Sequence, residues 1–110
     1  MQQRALPTHI RYMASKSAAD LAIEEITELY STAQDEFEIA MEETEKMSVY
    51  AEGDREAAKE ELEKVQTAYK KIVNGSDKQL AEEVSRRIGT RIRELENGVK
   101  RMEEIAMEHD

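Results

Sequence analysis

Cysteine and tryptophan are absent from this chain, and proline and phenylalanine occur once each. Without cysteine there is no disulfide, no thiolate zinc site, no cysteine nucleophile and no redox motif. Small secreted proteins lean on such cross-links, so the expected setting is intracellular, soluble and cytoplasmic. No apolar run approaches the ~18 residues that span a bilayer. The net charge of −9 opposes nucleic acid and anionic membrane, both of which recruit basic surfaces.

Histidine is nearly as scarce. His9 and His109 are the only two, close to opposite ends and off any apolar seam. There is no His-Glu-x-x-His motif, and the Glu-x-x-His pattern of di-iron bundles fails because Ala106 stands three residues before His109. The four glycines make no phosphate loop: Asn74-Gly75-Ser76-Asp77 lacks the lysine and the further glycines, and reads as a helix stop and cap. No calcium-binding loop is present either. The expectation is a protein that is not an enzyme, with no cofactor, no metal and no small-molecule substrate.

What the chain does have is charge, at 37% of residues, and apolar residues at helical spacing. Ser17-Ala18-Ala19-Asp20 forms a capping box that opens a helix. Behind it Ile23, Ile26, Tyr30, Ala33, Phe37, Ala40, Thr44, Met47 and Ala51 follow in alternating steps of three and four, as on a coiled-coil face. Gly53-Asp54 is expected to end this helix. A second seam runs through Ala58, Leu62, Val65, Tyr69 and Ile72, and Asn74-Gly75 stops it. Ser76 to Gln79 reads as another capping box, leading into Leu80, Val84, Ile88, Ile92, Leu95, Val99, Met102 and Ala106. Gly89 and Asn97-Gly98 interrupt this third seam, yet it keeps phase across them, which favours one continuous helix.

No stretch alternates as a strand would. The predicted fold is therefore all-α: an antiparallel three-helix, coiled-coil-like bundle with long helices over 17–51, 55–73 and 77–107. Residues 17–110 are expected to form one domain, preceded by a flexible basic arm at 1–16. That arm has Arg4, Arg11 and Lys16 and no acid, a composition shared with mitochondrial transit peptides. A transit remnant there would place the chain in the matrix.

The charges are segregated. Between Asp20 and Glu45 there are ten acids and no base. Residues 84–101 carry Arg86, Arg87, Arg91, Arg93, Lys100 and Arg101 against Glu94 and Glu96. Acid pairs such as Glu24 with Glu28, or Glu38 with Glu42, lie off the seam and read as a solvated face rather than a cation site. The basic third helix and the arm can each neutralise part of the first helix.

Helix length sets a further expectation. At ~1.5 Å per residue, a first helix over 17–51 outruns a second over 55–73. Ile23, Ile26, Leu29 and Tyr30 would then overhang one end, and Val99, Met102 and Ile105 the other. Unpaired apolar seam invites a partner helix or a second copy. These seven are the predicted partner-binding residues. The function expected is a non-enzymatic helical interaction module (an adaptor, assembly factor or small chaperone-like cofactor) presenting an apolar seam beside an acidic face. The alternative is a structural homo-oligomer, most simply a dimer, joined through the overhangs.

Overall fold

A computed structural model describes residues 16–109. The expected basic arm, residues 1–16, lies outside that range apart from Lys16. Three helices follow one another, α1 (Ala18–Glu45), α2 (Ala51–Val73) and α3 (Lys78–Glu108), and each packs on both others. The described residues hold no strand, so the chain is all-α, as the seams predict.

α1 starts where its capping box requires. Asp20 N–H donates to Ser17 Oγ at 3.0 Å, and Ser17 N–H donates back to Asp20 Oδ2. α3 is capped one residue later than expected: the N-cap is Asp77, whose carboxylate accepts from Leu80 N–H at 3.1 Å. Aspartate satisfies the orphan amides as well as serine does, and its charge faces the positive end of the helix dipole. α3 then runs unbroken through Gly89 and Gly98.

The first connection differs from expectation. α1 ends at Glu45, not at 51, and Gly53 and Asp54 lie inside α2. The stop is a Schellman motif: Met47 N–H donates to Thr44 O and Ser48 N–H to Glu43 O, both at 3.1 Å. Met47 occupies the left-handed region with φ 54°, a place glycine normally takes. Ser48 then bridges the turn, donating through Oγ to Glu43 Oε1 at 2.6 Å and accepting from Tyr50 N–H at 3.2 Å. Six residues thus leave the first helix, and α2 begins four residues earlier than expected.

The core is narrow and uneven. α1 buries Ala19, Ile26, Ala33 and Ala40 at seven-residue spacing, and α2 buries Ala51, Ala58 and Val65 on the same period. α3 supplies most of the bulk through Val84, Ile88, Ile92, Leu95, Val99 and Met102. Small residues on two helices let the third approach closely. Its two glycines do the same in reverse. A Cβ on Gly98 would stand 2.9 Å from the Phe37 ring of α1, and one on Gly89 would stand 2.8 Å from the Tyr69 hydroxyl of α2. Phe37 therefore seats in a socket on α3 that glycine leaves open, and the Tyr69 hydroxyl reaches into the space beside Gly89.

Polar contacts fix the helix order. Arg87 Nη1 donates to Asp20 Oδ1 at 3.1 Å and Arg91 stacks 5.5 Å from the Tyr30 ring centre; both ladders rise together, so α1 and α3 run parallel. Gln66 donates to Glu96 Oε2 at 2.7 Å and Lys59 pairs with Glu103 at 3.1 Å, the descending order of antiparallel α2 and α3.

Candidate partner-binding face

The seven residues expected to meet a partner are placed by this packing. Ile26, Val99 and Met102 are 1%, 5% and 0% exposed. Ile23, Leu29 and Tyr30 are half-buried against the same core, and Ile105 is half-buried near the end of α3. The structure corrects the overhang on which their assignment stood. With α1 shortened to 28 residues and α2 lengthened to 23, the two differ by only about 8 Å, at ~1.5 Å per residue. α3, at 31 residues, flanks them both. The seam continues because the chain itself fills it, not because a mate is missing.

The surface left free lies on the other side of α1. Glu28, Asp35 and Glu42 are exposed and stand seven residues apart, so they form one stripe pointing away from the core. Leu21 and Ile39 border it. They are 56% and 49% exposed and eighteen residues apart, which is five helical turns at ~3.6 residues each, hence one azimuth. Sequence reasoning passed over both because they sit outside the seam. An apolar residue out of phase with the buried period was the signal available.

Among the described residues, four of the ten acids from Asp20 to Glu45 are paired with a base. Asp20 pairs with Arg87, Glu24 with Lys16, and Glu42 and Glu43 with Lys46. Glu25, Glu28, Asp35 and Glu45 form no ion pair among the described residues. Of the six basic residues over 84–101, Arg87 alone pairs with an acid of α1. The expectation that α3 neutralises α1 is met at one position. Arg86, Arg93 and Lys100 point outward, exposed and seven residues apart.

Asp20, Arg87 and Lys46 titrate away from their ordinary values for visible reasons. The Arg87 hydrogen bond, seconded by Ser17, lowers the Asp20 carboxyl. That carboxylate supports the fold above the usual aspartate range, and its support is lost only as pH falls through the lowered value. The Glu42 hydrogen bond raises Lys46, so its pairing persists until strongly alkaline pH.

A second apolar area lies at the α1–α2 turn. Val49 is 90% exposed beside Met47 and Tyr50, next to a cleft of about 320 Å³ whose walls include Thr44, Arg55, Ala106 and His109. Arg55 donates to the buried Thr44 hydroxyl at 3.1 Å, which ties the floor of this cleft together. His109 caps α3 there, exposed. No group of three or more metal-ligating side chains is gathered among the described residues, and none of their helices is long and apolar enough to cross a membrane.

Fold and surface together define a small helical-bundle module with an aliphatic core and faces of opposite charge. The chain belongs to the family described as the embryogenesis-like protein helical domain, whose model matches residues 20–104. The match starts two residues inside α1 and ends four before the close of α3, so it takes in all of α2 and all but the outer ends of α1 and α3. No curated protein and no solved structure matches the chain.

Proposed function

We propose that this bundle is a non-enzymatic protein-interaction module, of the adaptor or assembly-factor kind, that docks through the outer face of α1. The observation that supports this is the stripe Glu28, Asp35 and Glu42, with Leu21 and Ile39 beside it, all exposed. An acidic row with two apolar anchors suits a partner helix carrying bases at the same period and one or two apolar side chains. Acids held in a fixed row on a rigid helix require no reordering when that helix arrives. The non-enzymatic part of the reading rests on residue types: no cysteine, two histidines near the chain ends, and carboxylates on solvated faces.

The test is titration of a labelled cationic amphipathic helical peptide, read by fluorescence anisotropy. Binding should weaken at least about tenfold in a Glu28→Gln, Asp35→Asn, Glu42→Gln variant and with rising salt. Equal binding by both proteins would overturn the assignment of this face. Circular dichroism of the variant should be unchanged, because all three side chains are exposed.

A further inference from the structure

The acidic stripe has a counterpart on the same molecule. Glu28, Asp35 and Glu42 recur every seventh residue on the outside of α1; Arg86, Arg93 and Lys100 recur every seventh residue on the outside of α3. All six are exposed. Each row spans fourteen residues, about 21 Å of helix. Their spacings are therefore equal, and the signs are opposite at all three positions. Arg86 and Lys100 form no ion pair among the described residues, and Arg93 only donates to Thr90 at 3.5 Å. Within one chain the rows cannot meet, because each points outward from its own helix.

We propose that the occupant of the α1 stripe is the α3 stripe of a second copy. This rests on the reading that α1 offers a docking face and names the partner of that face. Laid side by side in parallel, Glu28 meets Arg86, Asp35 meets Arg93 and Glu42 meets Lys100. Lys46, one turn beyond Glu42, then meets Glu104, one turn beyond Lys100, a fourth pair of opposite sign, while Glu24, one turn before Glu28, meets Glu82, a single pair of like sign. Laid antiparallel, the three central pairs also match, Lys46 meets Glu82 and Glu24 meets Glu104. Like-charged alternatives, α1 on α1 or α3 on α3, repel at every position. The charge pattern thus selects one pairing of faces.

The contact is heterologous, since the two surfaces that meet differ. Each copy bound through α1 still offers α3, and association continues rather than stopping at a pair. Exposed ion pairs are individually weak, so assembly is reversible and concentration-dependent. The net charge of −9 opposes it at very low salt. At about 0.1 M salt the screening length is ~10 Å, short enough to mute whole-molecule repulsion and long enough to leave contacting pairs intact.

Sedimentation equilibrium on the intact chain, from micromolar to millimolar at about 0.1 M salt and again at about 1 M, reads this directly. Mass should climb from the 12.6 kDa monomer with concentration at the lower salt, and return to monomer at the higher. Reversing α1 (Glu28→Lys, Asp35→Lys, Glu42→Lys) or α3 (Arg86→Glu, Arg93→Glu, Lys100→Glu) should each weaken association at least about tenfold, because like charges now face one another. The α1 reversal brings the net charge towards zero, so its loss of assembly cannot come from overall repulsion. Mixing the two reversed proteins restores opposite rows and should restore assembly. A wild-type chain that stays monomeric at millimolar concentration, or reversed proteins that fail to associate when mixed, overturns the proposal. A monomer that still binds the cationic helical peptide would leave α1 a docking face and remove only the second copy as its partner.

Discussion

Gly98 shows how one residue type can look like a defect and act as a fitting. A glycine inside a helix costs about 1 kcal/mol relative to alanine, and Asn97-Gly98 resembles a turn. The helix passes through it because the Phe37 ring lies where a Cβ would be, with ring carbons 2.9, 3.3 and 3.4 Å away. Gly98→Ala should therefore lose about 1 kcal/mol in urea unfolding, the propensity gain being outweighed by overpacking against a ring held in the core. In a Phe37→Leu background the same substitution should become stabilising. At Gly89 the conflicting atom is the far end of the Tyr69 side chain, which can swing aside, so Gly89→Ala should cost less than Gly98→Ala. The presence of these glycines was legible in the sequence, but their purpose was not, since it depends on which aromatic ring arrives from which helix.

At the scale of elements, caps were readable and one stop was not. Ser17-Ala18-Ala19-Asp20 gave the start of α1 because a capping box is a local hydrogen-bond pattern between neighbours. Asn74-Gly75 likewise marked the end of α2. The end of α1 lies six residues before the point Gly53 predicts, because the stop is made by Met47 and not by the obvious breaker. Nothing in a methionine advertises the left-handed conformation, and it is imposed here by the distance over which α2 must turn back. Such a residue is strained by about 1–2 kcal/mol. Met47 is mostly exposed, so its side chain contributes little in return. Met47→Gly should then stabilise the protein by about 1 kcal/mol, less than the full strain because glycine also gains freedom in the unfolded chain. A lower midpoint in urea would show that Met47 packs against something that matters.

At the scale of the whole molecule, the decisive result is that the chain closes its own seam. Ile26 touches the core of its own bundle from near the middle of α1's first half, and is almost wholly buried. Ile26→Ser should cost about 3–4 kcal/mol, combining a cavity with an unsatisfied hydroxyl. The midpoint shift should be the same at low and high protein concentration. A shift that grows on dilution would place Ile26 in an interface instead. The charged rows behave oppositely, since they lie outside the core and affect association rather than folding.

Sequence alone determined that the fold is helical, how many helices there are, which residues line each seam apart from Met47 and Ala51, and that acids gather on the first helix and bases on the third. Those features follow from spacing and local hydrogen bonding, which are properties of neighbours along the chain. Tertiary structure decided which apolar residues were spoken for. Shifting the α1 stop from Gly53 to Met47 lengthened α2, removed the expected overhang and buried Ile26, Val99 and Met102 within one chain. It also decided that the acidic and basic rows face outward on different sides, because a row's direction depends on where the other two helices pack.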